Sequence, residues 1–205
     1  MYDHIKSLGY TNILYLPIAK ELSGTYQNAH LARDSHEGIK IDIVDTQTTV
    51  SILGKMTLIA AQMAKDGHSV SEIIDTVMEL KTKWGFFFGV NDLTSLVKNG
   101  RLSNAKGFVA NILKIKPLLE FSQDGYLRAK KNVRTFKKTL VEIVDAVAEQ
   151  VKSDETEIHL LSTGNVEDRE TTIALLKEKL PNNKIQQFSL SPTIVAHVGL
   201  GVIGV

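Results

Sequence analysis

Cysteine is absent from the 205 residues. That removes disulfides, zinc–thiolate sites and thiol catalysis, and it fits a chain that works in a reducing, cytoplasmic compartment. No charge sign dominates: 24 Lys and Arg face 23 Asp and Glu, a formal net charge of +1. A dedicated nucleic-acid binder is usually basic overall, so that class is disfavoured. No apolar run approaches the roughly 20 residues of a membrane span. The opening MYDHIKSLGY has no apolar core of the kind a secretory signal needs. The nucleotide loops G-x-G-x-x-G and G-x-x-x-x-G-K-[ST] are missing, as is the nucleophile elbow G-x-S-x-G. His4, His30, His36, His68 and His159 form no metal-ligand spacing, and no carboxylates pair at an informative distance. No internal repeat or low-complexity linker is present. Neither a cofactor nor a metal is expected.

What remains is ordinary globular composition, 43% hydrophobic and 23% charged, with length for one large domain or two small ones. Tyr2, Ile5 and Leu8 have loose helical spacing that Gly9 stops. A chain that opens in mid-helix implies that upstream structure is absent from it. Ile13–Leu16 reads as a buried strand, Thr25–Ser35 as a helix, and Ile39–Val44 as a strand with one apolar face. Val50–Lys65 is apolar enough to predict a largely buried helix. Ser69 and Glu72 make a capping box for the next helix, carrying Ile73, Ile74, Val77 and Leu80. This order predicts a parallel sheet with helical crossovers. From about Trp84–Phe86 the pattern changes. Phe86–Val90 reads as a strand, and Asp92 heads a short helix. Lys116–Phe121 and Tyr126–Lys131 flank an Asp124-Gly125 hairpin turn. Helices follow that are capped by Thr135 and Asn165, with strands at Ile158–Leu161 and Ile185–Leu190 and a Gly-rich apolar tail. The expected fold is α/β and two-lobed. A parallel-sheet α/β lobe, incomplete at its N-terminus, occupies 1–85. An α+β lobe with a largely antiparallel sheet occupies 86–205.

Three segments are candidates for function. Leu22-Ser23-Gly24-Thr25-Tyr26 lies between a strand and a helix, where free backbone N–H groups and the helix dipole favour an anion. Ser23 and Thr25 add hydroxyls, and Gly24 admits a ligand close to the backbone. Ser23 read only as an N-cap accounts for the same residues without a ligand. His197 lies in an apolar, glycine-flanked segment, as a core histidine or as a site residue. Between positions 101 and 138 ten basic residues (Arg101, Lys106, Lys114, Lys116, Arg128, Lys130, Lys131, Arg134, Lys137, Lys138) face only Glu120 and Asp124. This stretch is either a solvated face or a docking patch for an acidic partner, for anionic lipid headgroups or for nucleic acid. Its aromatics, Phe108, Phe121, Tyr126 and Phe136, are too sparse for single-strand nucleic-acid binding.

Taken in order, these segments resemble the DegV family of bacterial fatty-acid-binding proteins. The matching stretches are Leu22-Ser23-Gly24-Thr25-Tyr26-Gln27, Val44-Asp45-Thr46, Val90-Asn91-Asp92-Leu93-Thr94-Ser95-Leu96 through Asn99-Gly100-Arg101-Leu102-Ser103, Ile115-Lys116-Pro117-Leu118-Leu119, Val133-Arg134-Thr135-Phe136-Lys137-Lys138, and Ala196-His197-Val198-Gly199-Leu200-Gly201. The resemblance implies a non-catalytic carrier that buries a long-chain fatty acid between two lobes. Ser23, Gly24, Thr25 and His197 would meet the carboxylate. The resemblance further implies that the carboxylate is presented to a separate kinase subunit for acyl-phosphate formation, with Arg134, Lys137 and Lys138 docking that subunit. Ile52, Met56, Ile59 and Phe86–Phe88 are candidates for the acyl lining. Expected partners are therefore the fatty acid and a fatty acid kinase catalytic subunit, with no nucleic acid and no integral membrane segment, and at most a transient membrane-surface contact. Two departures stand out. The family's opening strand and its T-S-Q-type motif precede the first residue here, and the tail reads H-V-G-L-G where the family often has H-T-G-P-G. The competing readings are a small serine hydrolase or transferase using Ser23 and His197, and an interaction module using the basic surface.

Overall fold

A computed structural model describes residues 1–103 and 115–205. The chain divides into two compact units, one of Met1–Trp84 with Gln123–Gly125, the other of Gly85–Ser122 with Tyr126–Val205.

The first unit is built on two parallel strands, β1 (Asn12–Tyr15) and β2 (Lys40–Ile43), in register from Asn12 opposite Lys40 to Tyr15 opposite Ile43. Both faces are apolar, as a parallel sheet with helical crossovers requires. Ile13 and Ile41 pack with Tyr2 and Ile5 of α1 (Tyr2–Ser7) and with Ala32 of α2 (Thr25–Asp34). Leu14 and Leu16 pack instead with Ala60 and Met63 of α3 (Val50–Lys65) and with Ile73 and Val77 of α4 (Val70–Leu80). The capping box of α4 is formed: Ser69 Oγ accepts the Glu72 N–H, and the Glu72 carboxylate accepts the Ser69 N–H at 2.8 Å.

Helix α3 departs from expectation. Its bounds match, but of its side chains Met56 and Ala60 alone are buried. Gly54, Thr57, Ala61 and Ala64 are exposed, and Leu58 is 70% exposed. Strands lie about 4.8 Å apart, so a two-stranded sheet covers one narrow stripe of a helix laid on it.

The second unit holds a six-stranded sheet in the order β5–β4–β3–β8–β6–β7. Its strands are β3 (Phe87–Gly89), β4 (Leu118–Phe121), β5 (Leu127–Lys131), β6 (Ile158–Ser162), β7 (Ile185–Ser189) and β8 (Ile203–Gly204). Neighbours are antiparallel except β6 and β7. Gln123-Asp124-Gly125 forms the β4–β5 turn, with Gly125 at φ +88. Pro117 lies just before β4, where its missing N–H costs no ladder bond.

Helix α6 (Phe136–Gln150) supplies much of the core. Leu140, Ile143, Val144 and Val147 pack with Phe87, Leu118, Leu160 and Ile203. Helix α7 (Val166–Lys179) adds Ile173 and Leu176. Thr135 and Asn165 cap these helices by accepting the Lys138 and Asp168 N–H groups. The short α5 (Thr94–Lys98) follows β3.

The Gly-rich apolar tail holds two elements that its composition does not specify. It contains α8 (Pro192–Val198) and then β8. Ser191 Oγ accepts the Ile194 N–H, and Pro192 takes the first helical position, where its fixed φ favours the turn.

Candidate functional site

The carboxyl ends of adjacent parallel strands are where open α/β sheets bind ligands. In the first unit two polar strand-to-helix turns occupy that edge. After β1, Leu22 and Ser23 donate their N–H groups to Ala19 O at 2.9 and 3.3 Å, which turns the chain into α2. Ser23 Oγ then accepts the Thr25 N–H at 3.2 Å and lies 2.8 Å from Thr25 Oγ1. Gly24, not Ser23, occupies the N-cap position. The simple cap reading of Ser23 is therefore corrected: its hydroxyl closes a local turn one residue earlier. The hydroxyl pair shares one proton internally and leaves the other to donate outward. Of the first-turn N–H groups of α2, that of Thr25 is taken by Ser23 Oγ, while those of Tyr26 and Gln27 have no acceptor within the helix.

The turn after β2 was not singled out for chemistry by its sequence. Thr46 and Thr48 are fully buried, with their hydroxyls 2.7 Å apart. Thr48 N–H is not the tie to the first turn; its carbonyl is, accepting the Ala19 N–H at 3.0 Å. Gln47 and Val50 adopt φ of +53 and +47. For a β-branched residue that is a strained conformation, of the kind that persists where the surroundings enforce it. The sequence signal was a run of four polar residues, Thr46-Gln47-Thr48-Thr49, where a buried strand meets an apolar helix.

His197 belongs to the second unit, in the last turn of α8. It is half-buried, and its Nδ1 is buried with no hydrogen-bond partner among the described residues. Gly199 (φ +84) and Gly201 (φ +74) follow it. Asn99 Nδ2 donates to Ala196 O at 3.4 Å, and Asn91 Nδ2 to Gly201 O at 3.5 Å. Lys116 Nζ donates to Asn91 O. Asn91 and Asn99 thus reach the histidine-bearing loop from about a hundred residues away in sequence, and Lys116 holds Asn91.

Asp92 accepts the Thr94 hydroxyl at 2.6 Å and the Thr94 N–H at 2.8 Å. These bonds hold its carboxyl below the usual carboxylate range, with the Thr94 hydroxyl the largest cause.

The basic stretch is partly dispersed. Lys106, Lys114 and Phe108 lie outside the described residues. Lys130 pairs with Glu120 at 3.2 Å and Lys131 with Glu142 at 2.6 Å. Arg128 lies over the Tyr126 ring, 5.2 Å from its centroid. Arg134, Lys137 and Lys138 are exposed at the start of α6.

No group of three or more His, Cys, Asp or Glu that could hold a metal occurs among the described residues. His36 lies beyond the end of α2, with Nε2 3.1 Å from Asp3. No helix of the described residues is long and apolar enough to cross a membrane. Of the candidate lining residues, Met56 and Phe86–Phe88 are buried, while Ile52 and Ile59 are half-buried; Phe87 belongs to the core beneath α6.

Comparison with known proteins matches a family model described as an uncharacterised protein of the DegV family over residues 1–205. A DegV domain-containing protein of Clostridium perfringens (strain 13 / Type A) is 33% identical over 199 residues, covering 95% of this chain and 68% of the relative. Among solved structures, the fatty acid binding DegV family protein of Streptococcus agalactiae has a TM-score of 0.90 at 30% identity, covering 98% of this chain and 71% of its own. DegV of Bacillus subtilis, a fatty acid binding protein, has a TM-score of 0.84 at 26% identity, covering 98% and 73%. The chain belongs to the DegV family.

Proposed function

We propose that this protein is a non-catalytic carrier that binds a long-chain fatty acid and presents its carboxylate to a separate kinase subunit. The observation that carries the lipid reading is the Ser23–Thr25 hydroxyl pair at the start of α2, 2.8 Å apart, beside the Tyr26 and Gln27 N–H groups, which have no acceptor within the helix. A carboxylate leaving water needs such donors to offset its desolvation. Charge-assisted hydrogen bonds from a hydroxyl and a helix start supply them without a full ion pair. The likeness to proteins described as fatty acid binding from S. agalactiae and B. subtilis points the same way.

The acyl chain supplies most of the affinity. About 0.8 kcal/mol per buried methylene, over roughly 14 methylenes of palmitate, gives a gross term on the order of 11 kcal/mol. The headgroup contacts then set orientation. Loss of one hydrogen bond to a charged group costs about 1.5–3 kcal/mol, so Ser23→Ala weakens binding roughly 10- to 100-fold, while Ser103→Ala does not. Native mass spectrometry of protein purified from bacteria tests the reading. A co-purified acyl mass, or uptake of added palmitate, supports it. Absence of both overturns it, and equal losses in the two serine variants remove Ser23 from the headgroup.

Arg134, Lys137 and Lys138 support the kinase-docking part of the proposal. Cations at the positive end of a helix are electrostatically disfavoured, and the first turn of α6 carries no acidic residue to offset them. A partner's acidic surface would. The carrier reading excludes Ser23 as a nucleophile, so labelling of Ser23 by a fluorophosphonate would favour the hydrolase alternative.

A further inference from the structure

The loop that carries His197 is held from outside its own sequence. Asn91, just after β3, reaches Gly201 O, and Asn99, at the C-terminal end of α5, reaches Ala196 O, across 110 and 97 residues of chain. The fit at Gly201 is close: a Cβ there would lie 2.6 Å from Asn91 Nδ2, and Gly201 is at φ +74. A Cβ on Gly199 would meet Ser95 Oγ of α5 at 3.7 Å. The Asn91 end is tied down in turn, because Lys116 Nζ donates to Asn91 O. The Asn99 end is tied by its own N–H to Ser95 O at 3.0 Å and by Arg101 Nη1 to its carbonyl at 2.5 Å. Asn91 and Asn99 therefore bracket residues 196–201 at both ends, with His197 inside the bracket. Within it, the buried Nδ1 of His197 lacks a partner among the described residues. A buried polar atom left so is costly unless a ligand or water meets it.

We infer that Asn91 and Asn99 are positioning residues: they fix the His197 loop against α5 and so set the orientation in which the imidazole meets a carboxylate. This rests on the fatty-acid reading for the identity of the ligand, but not for the clamp itself. The side-chain amide is the right group for the task. It donates to a backbone carbonyl without adding charge beside the histidine, and it is short enough to hold the loop closely.

The test combines a binding cycle with a spectroscopic one. Palmitate affinity is measured for wild type, Asn99→Ala, His197→Ala and the double variant. Asn99→Ala is expected to weaken binding about 3- to 10-fold, the size of one neutral hydrogen bond, and to add nothing in the His197→Ala background. Additive losses overturn the inference. In parallel, the ¹⁵N resonances of the His197 ring are followed in ligand-free wild type, Asn99→Ala and Asn91→Leu, which keeps the size of the side chain and adds no charge. Shifted ring resonances support the clamp. Unchanged resonances in both variants overturn it, even if melting temperature falls, because that outcome is a purely structural role. Failure of wild type to take up palmitate while the ring resonances still respond overturns the fatty-acid reading and leaves the clamp standing.

Discussion

Gly89 sits in β3 directly beneath α6, and replacing it by alanine gives a worked prediction. A Cβ at Gly89 would lie 2.7 Å from Thr139 Cγ2, 3.1 Å from Phe136 Cε2 and 3.6 Å from Ile143 Cδ1. The first distance is too short for carbon. Thr139 is fully buried and cannot swing its methyl away, because its hydroxyl is committed to Lys116 O and to Thr135 O at 3.2 Å. Rotating χ1 would break both bonds. Overpacking of this kind costs about 1–3 kcal/mol. Loss of glycine's freedom in the unfolded chain returns about 0.4–1 kcal/mol. The net for Gly89→Ala is roughly 1–2 kcal/mol of destabilisation, at about 2–4 °C of melting temperature per kcal/mol for a chain of this size. Thr139→Ser keeps the hydroxyl and removes the offending methyl. Alone it costs about 1 kcal/mol, as other single buried methyl deletions do. In Gly89→Ala/Thr139→Ser the new methyl fills the space of the old one, so the double variant is less destabilised than the sum by about 1 kcal/mol or more. Urea unfolding followed by far-UV circular dichroism, with calorimetry alongside, reads all four proteins. Additivity within about 0.5 kcal/mol, or a neutral Gly89→Ala, refutes the packing argument.

Four other outcomes are expected. Ser69→Ala opens the capping box of α4 and costs about 1 kcal/mol, read as a lower urea midpoint with unchanged slope. Thr46→Val leaves the Thr48 hydroxyl only its weak 3.8 Å bond to Met56 Sδ and costs about 1–3 kcal/mol, whereas Thr46→Val/Thr48→Val costs less than twice that, since no buried hydroxyl then lacks an oxygen partner. Asp92 has a carboxyl pKa depressed in the folded state. Its contribution is fully present above the unfolded value of about 3.9 and is lost as pH falls through the lower folded value. The stability gap between wild type and Asp92→Asn should therefore narrow below about pH 4 in urea titrations, and a gap that widens there contradicts the assignment. Arg134→Glu/Lys138→Glu should abolish capture of an acidic protein partner in a pull-down while palmitate binding stays within about 2-fold, the scale of an exposed charge effect; survival of every interaction removes the docking role.

Much of the fold was legible because local rules decide it. The bounds of α3 and α4 follow from apolar periodicity and an S-x-x-E start, and Asp124-Gly125 between apolar runs specifies the β4–β5 hairpin. Burial of α3 was misjudged for a physical reason: periodicity tells which face of a helix is apolar, not how wide the sheet beneath it is. The elements of the tail are not legible in its composition, because the position of its loop is set from a distance: the carbonyl of Gly201, at φ +74, accepts from Asn91. At the candidate site, Ser23 and Thr25 stood out because hydroxyls at a strand-to-helix turn are a local signal. Thr46, Thr48, Asn91 and Asn99 did not, since their significance lies in pairings across the fold.

Strand β8 has a consequence for the order of events in synthesis. Its two residues pair with β3 on one side, Phe88 opposite Gly204, and with β6 on the other, Leu161 opposite Gly204. With the flanking Val205, which exchanges bonds with Phe87, and Val202, whose carbonyl accepts the Thr163 N–H, these residues bridge β5–β4–β3 and β6–β7. All five other strands leave the ribosome before it. Until Ile203 emerges, the nascent second unit holds two half-sheets, each with a bare inner edge that can accept a foreign strand. Closing the sheet needs contacts spanning more than a hundred residues, the kind that form late and slowly. Factors that shield nascent chains would therefore matter most in the interval after β6 and β7 have emerged and before Ile203 and Gly204 follow.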